Sequence, residues 1–355
     1  MSYNDHRDYN LHNDHDDNIR MFHAFNYYLS HLMGMAEDIS KQGFNYVLIQ
    51  SLQPYKTENL PRWCAPYQPT GLSIGNDYGS MFELEKLCRH FESYGIGIVL
   101  DAVINHMAGI TSKDIPPSNF DPTQWFLSKN PVPYWYVDEK LRSNPHFWKN
   151  GGEISDWNNR DQVINASIPG LPGLKLDNYE LQDLINSEFF QPAINCGVQG
   201  FRIDAAKNTA LPDEFLSNRS NCHFFPRVIK PIVDNGIIVF AEVLNSDEKL
   251  TKRYINEGMK VITDRGDFWL PELLKYPESH DSYLSPEIAN TPAGTRRYNT
   301  DEINSRYREL AEKSNHILYY TRPFDDRSWR LDIIQQANFI NEAKGKERTL
   351  AKRIA

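Results

Sequence analysis

The chain has 355 residues, of which 40% are hydrophobic and 24% charged, the usage of a folded globular protein and not of a fibrous or disordered one. Its 38 Lys+Arg against 47 Asp+Glu leave a net charge of −9, which repels phosphate backbones and argues against nucleic acid as a partner. No apolar run approaches the roughly 20 residues that span a bilayer, and the polar start has no signal-peptide core. The expectation is therefore a cytoplasmic protein with no membrane partner. Four scattered cysteines, Cys64, Cys88, Cys196 and Cys222, form no CxxC pair and read as reduced, mostly buried thiols.

In chain order, residues 1–18 hold His6, His12 and His15 among Asp and Asn with nothing apolar to fix a geometry, and read as a flexible arm. From residue 21 onward, short apolar runs alternate with helix-period segments, the rhythm of parallel βα units. Eight strands are predicted: Met21–Asn26, Tyr46–Gln50, Ile96–Val103, Val198–Ala205, Ile237–Val243, Lys260–Thr263, a poor one near Leu273–Pro277, and Ile317–Thr321. Leu84, Leu87, Cys88 and Phe91 repeat at helical spacing, as do Ile303, Tyr307, Leu310 and Ala311, so each set lines one helix face. A run such as Ile237-Ile-Val-Phe240 suits a strand buried on both sides, and a closed (β/α)8 TIM barrel buries every strand that way.

The first part of the barrel is assigned to 19–106 and the second to 171–355. Residues 107–170 break the alternation with Pro and Asn punctuation and read as an inserted domain. This insert holds Trp125, Trp135, Trp148 and Trp157, with Tyr134 and Tyr136 beside them. The rings are either its core or part of a ligand surface.

Four segments place polar groups directly after an apolar run, where barrel strands emerge at the C-terminal face. They are Asp101-Ala-Val-Ile-Asn105-His106, Gly200-Phe-Arg202-Ile-Asp204-Ala-Ala-Lys207-Asn208, Phe240-Ala-Glu242-Val243 and Glu278-Ser-His280-Asp281. Arg202 and Asp204 stand two apart, so on a strand both side chains point the same way, and their pairing is expected to hold Asp204 ionised. Glu242, after the apolar run, is expected to be partly desolvated and to keep its proton. A nucleophile and an acid so separated suit glycoside cleavage. A spacing of about 5–5.5 Å suits retention and about 6.5–9.5 Å inversion.

In order and spacing the four segments resemble the motifs of the α-amylase family, glycoside hydrolase family 13, which lie on barrel strands 3, 4, 5 and 7. Met21-Phe-His23-Ala-Phe-Asn26, Tyr67-Gln68-Pro69 before Ile74-Gly75-Asn76, and Leu171-Pro172-Gly173-Leu174 resemble its bacterial-type members. The resemblance implies Asp204 as nucleophile, Glu242 as general acid/base, and Asp281 as the carboxylate that grips sugar hydroxyls. It implies that Tyr67, His106, Arg202, Lys207 and His280 bind sugar. The implied substrate is an α-glucan such as starch, glycogen or a maltooligosaccharide, cut at α-1,4 bonds without any cofactor for the chemistry.

The sequence departs from that pattern in several places. Family members commonly hold a structural calcium with the Asn of the first motif, here Asn105, and with an Asp where this chain has Gly173. Losing a charged oxygen ligand weakens such a site unless Asp161, Asp177 or a water substitutes. Asn208 stands where the family has His, which puts substrate preference in question. The interval from Glu242 to His280 is short, so the sixth unit is expected to be trimmed. About 30 residues follow the last strand, room for one helix but not for the family's C-terminal β-sandwich, which is expected to be absent. Two other readings stand beside hydrolysis: a transglycosylase or isomerase of the same family, and a degenerate barrel that only binds glucan or a protein partner.

Overall fold

The computed structural model describes residues 19–60, 64–118, 129–217, 219–263, 268–275 and 316–320. Eight parallel strands close into one barrel. They are β1 (Arg20–Ala24), β2 (Tyr46–Ile49), β3 (Gly97–Ala102), β4 (Gly200–Ile203), β5 (Ile238–Glu242), β6 (Lys260–Thr263), β7 (Leu273–Lys275) and β8 (Ile317–Tyr320). Seven fall within their predicted runs, and β1 starts one residue before its run, at Arg20. The β1–β2, β2–β3, β3–β4 and β4–β5 seams each pair four residues, whereas β7 meets β8 at Ile317 and Lys275 alone.

Alternation along the strands sorts the side chains into two cores. Met21, Tyr46, Leu48, Val99, Phe240, Ile262 and Leu274 form one cluster that fills the barrel. Val47, Ile49, Ile98, Leu100, Phe201, Ile203, Val239, Val261 and Leu273 belong to a second, larger cluster shared with the surrounding helices. On helix α1 (Met81–Glu92), the predicted stripe Leu84, Leu87, Cys88 and Phe91 is buried. A capping box starts this helix: Ser80 Oγ accepts from the Glu83 amide, and the Ser80 amide donates to Glu83 Oε2 at 2.8 Å. Ser80→Ala is expected to cost about 1 kcal/mol, read as a drop of roughly 2–4 °C in the thermal midpoint. An unchanged midpoint would show that packing alone sets this helix start.

Between β3 and helix α2 (Tyr179–Ile185), the described part of 107–178 carries short helical turns and isolated bridges, among them Gly109 with Pro133 and Trp148 with Leu174. Most of its apolar residues, including Ile110, Tyr134, Trp135, Leu141 and Phe147, join the larger barrel cluster, while Ile154, Val163 and Ala166 form a small cluster of their own. A buried Lys56–Asp114 ion pair pins this excursion to the loop after β2. Lys56 also donates to the Gly109 carbonyl at 3.1 Å.

β6 and β7 pair in parallel although the link between them runs only from 264 to 272, and its described residues contain no helix. The predicted arm 1–18, Trp125, Pro277, the helix stripe at 303–311 and the tail 321–355 lie outside the described residues. Cys88, Cys196 and Cys222 are buried thiols outside any disulfide. Among the described residues no helix is long and apolar enough to cross a membrane.

Candidate active site

Register alone brings the charged groups together. Asp101 on β3 pairs directly with Arg202 on β4, and Arg202 pairs with Phe240 on β5. Two residues further on, Asp204 and Glu242 point the same way, just above the layer that Val99 and Phe240 close. The site thus stands on the apolar filling of the barrel at its C-terminal mouth.

Arg202 is the hub. Its Nη1 lies 2.7 Å from both carboxylate oxygens of Asp101 and 3.0 Å from Asp204 Oδ1, and its Nη2 donates to Glu242 Oε1. Glu242 Oε2 accepts from the Ala205 amide at 2.9 Å. Ala205 achieves this in a left-handed conformation, φ 48°, which costs an alanine roughly 1–2 kcal/mol. Just before it, the Asp204 amide donates to the Ala102 carbonyl.

The sequence predicts an Arg202–Asp204 pair that keeps Asp204 ionised. The two do meet, but one guanidinium is divided among three carboxylates. Burial pushes the Asp204 carboxyl well above the usual carboxylate range; Arg202 pulls it down, and Glu242 and Asp101 push it further up. The expectation of an Asp204 held ionised by its arginine is therefore corrected. Arg202 itself stays charged, because the surrounding acids outweigh its burial.

Tyr67 and His106 form the adjoining wall. The Tyr67 hydroxyl donates to Asp101 Oδ2 at 3.2 Å, its ring stacks on Phe25 with centroids 6.4 Å apart, and the Arg202 guanidinium lies 5.8 Å from that ring. His106 Nε2 lies 2.9 Å from the Tyr67 carbonyl, so Nε2 carries the proton. Burial pushes the imidazole down to about 4, against the pull of that carbonyl, which keeps it neutral. Lys207 donates to the Leu244 carbonyl at 3.2 Å and lies 4.8 Å from the centre of the Trp157 ring. Trp157 and Tyr136 are exposed and Trp135 is buried, while Trp148 donates to the Leu141 carbonyl. His280 and Asp281 lie outside the described residues.

Two participants escaped the sequence reading as site members. Asp101 anchors Arg202, which only the β3–β4 register reveals. Lys149 lies beside Gly173, the position where the resemblance implies a calcium ligand. Its Nζ donates to the Asn208 carbonyl at 2.8 Å, and its stem runs past Gly173, where an added Cβ would lie 2.8 Å from Lys149 Cδ. Burial lowers the Lys149 ammonium below the usual lysine range, while Cys222 and Asp177 push back against Arg160.

Calcium needs six to eight oxygens. Here Asn105 Oδ1 is buried without a hydrogen-bond partner, Gly173 offers no side chain, and a cation already holds the Asn208 carbonyl. Asp161 Oδ1 accepts from Asn165, and Asp177 Oδ2 accepts from Ser220 with Lys175 Nζ 3.9 Å away, so at most the buried Asp177 Oδ1 could join Asn105. Among the described residues no group of three or more His, Cys, Asp or Glu side chains is arranged to hold a metal. This residue set does not fit calcium.

Comparison with known proteins points the same way as the fold. The chain is 28% identical over 229 residues to an α-amylase of Clostridium acetobutylicum, covering 63% of this chain and 28% of that one. It is 30% identical over 176 residues to rat pancreatic α-amylase, covering 48% of this chain and 30% of that one. The matched stretch is thus less than a third of either relative's length. In fold it is similar to the α-amylase of Geobacillus thermoleovorans complexed with acarbose, with a TM-score of 0.65 at 14% identity over 93% of this chain and 79% of that one. Residues 68–277, well over half of the chain, match the family model for the α-amylase catalytic domain, and the protein belongs to that family.

Proposed function

We propose that the chain is a retaining α-glucan hydrolase that cuts α-1,4 bonds in starch, glycogen or maltooligosaccharides. The observation that carries this reading is one guanidinium shared between Asp204 and Glu242 at the barrel mouth. Two carboxylates on neighbouring arms of the same group favour the short spacing of retaining enzymes over the wide gap that admits a water.

In this reading an Asp204 oxygen attacks the anomeric carbon as the bond to the departing sugar breaks, and Glu242 gives its proton to the departing oxygen. Water then takes the place of that sugar, loses a proton to Glu242, and frees Asp204. The proton that the crowded sugar-free site keeps on Asp204 passes before attack to Glu242, the other carboxylate on that guanidinium; sugar hydroxyls entering the site would stabilise the ionised Asp204 by donating hydrogen bonds to it. Neutral His106 backs Tyr67 through its carbonyl, and the half-buried Tyr67 face supplies a stacking surface for the pyranose. Asp281 and His280 complete the set by resemblance, and Lys207 with Trp157 lies toward the leaving-group side.

An end-blocked maltooligosaccharide tests the proposal. Internal cleavage with products released first as the α-anomer, followed by NMR, is expected. Products released first as the β-anomer would overturn retention. Chain-extended products in place of free reducing ends would favour a transglycosylase, and binding without cleavage a degenerate barrel.

A further inference from the structure

The loop that carries Asp204 and Lys207 is fastened to the excursion after β3 by polar contacts. Three successive carbonyls of that loop point at cations. The Arg160 guanidinium donates to the Lys207 carbonyl and, at 3.2 Å, to the Thr209 carbonyl, and between them the Lys149 ammonium donates to the Asn208 carbonyl at 2.8 Å. Arg160 is held by Glu214 through Nε at 2.9 Å and Nη2 at 2.7 Å, and by the Tyr254 hydroxyl at 3.0 Å. Lys149 is positioned by its backbone, whose amide donates to the Gly173 carbonyl at 2.8 Å, and by the missing side chain at 173. A β-carbon and carboxylate at 173 would contend with the lysine stem for the same space.

We propose that Lys149, threaded past Gly173, is a built-in cation that takes the place of a structural divalent metal, fastening the loop after β4 together with Arg160. The exchange is reciprocal in chemistry. An acidic side chain at 173 would recruit a metal and exclude the lysine, whereas glycine admits the lysine and leaves a metal the neutral amide oxygen of Asn105 and at most one oxygen of Asp177. That Asn105 Oδ1 lacks a partner is what a metal-bound reading would invoke; a metal there could reach the Asn208 carbonyl only by displacing the ammonium. This inference concerns how the fold is held and stands whether or not the chain cleaves glucan.

The test is thermal unfolding of the whole chain in chelator and in millimolar calcium, with calcium uptake measured by titration calorimetry. The parent is expected to unfold at the same temperature in both, and to take up no calcium. Lys149→Met, which keeps the stem and removes the donor, is expected to unfold roughly 3–8 °C lower, again without regard to calcium. The double variant Lys149→Ala with Gly173→Asp is expected to bind calcium and to recover much of that loss only when calcium is present. A parent that calcium stabilises, a Lys149→Met chain as stable as the parent, or a double variant indifferent to calcium would each overturn the proposal. Should Lys149→Met fail to fold, Lys149→Gln, which removes the charge and keeps a donor, is expected to unfold below the parent by a smaller step, again without regard to calcium; a Lys149→Gln chain as stable as the parent would overturn the cation's role.

Discussion

Asp204→Asn is expected to lower kcat on soluble starch by at least about a thousandfold, roughly 4 kcal/mol of transition-state stabilisation, while leaving the protein as stable as the parent or more so at neutral pH. The two halves have one cause. Asp101, Asp204 and Glu242 crowd a single guanidinium, so full ionisation leaves two negative charges uncompensated in a buried site. Asp204 is the least favoured of the three for Arg202, with one contact at 3.0 Å against two at 2.7 Å for Asp101. Asn keeps the shape and removes one charge.

The pH dependence follows in sign. Asp204 is raised in the folded state above its unfolded value, so the folded chain binds more protons and the parent loses stability as pH rises above the ordinary carboxylate range. The stability difference between Asp204→Asn and the parent should thus widen from about pH 4 toward pH 8 and vanish at the acid end, where both carry a neutral group. Urea unfolding at a series of pH values, beside starch kinetics, measures both. Activity within tenfold of the parent would remove Asp204 from the chemistry. A variant destabilised more at pH 8 than at pH 5 would show that its charge is instead compensated. Glu242→Gln is the companion, with the same expected loss of activity.

Much of this was legible in the sequence because a barrel strand buried on both faces leaves an unbroken apolar run, and a polar group at the end of that run marks the mouth. Even the short segment at Leu273 could be placed, although its pairing with β8 is a single contact. What a lone sequence does not carry is lateral register. Arg202 and Asp204 are visibly two apart, but Asp101 lies a hundred residues away and becomes Arg202's first partner only because β3 and β4 align them. The protonation of Asp204 was misjudged for the same reason, since one neighbour could be read and two could not. Gly173 was read as a lost metal ligand. That it also makes room for Lys149 depends on a bridge between Trp148 and Leu174 that no spacing announces.

Removing the hub should be the most damaging single change in the barrel. Arg202→Met keeps most of the side-chain volume but leaves three buried carboxylates without their cation, a class of change that costs about 3–5 kcal/mol. The loss should deepen as pH rises, because each carboxylate then has to ionise in the unfolded chain while burial and mutual repulsion resist it in the folded one. Arg202→Lys should recover little. One ammonium is a point donor and cannot reach Asp101, Asp204 and Glu242 together as the planar fork does. Adding Asp101→Asn to Arg202→Met should restore part of the stability, since the remaining repulsion falls with each charge removed; the double-mutant cycle measures how strongly the two sites are coupled. Equilibrium urea unfolding at pH 5 and pH 8 reads all four proteins. If Arg202→Met matched the parent at pH 8, Asp101 and Glu242 would be shown not to depend on the guanidinium, and the picture of a charge-crowded site organised by one cation would fail.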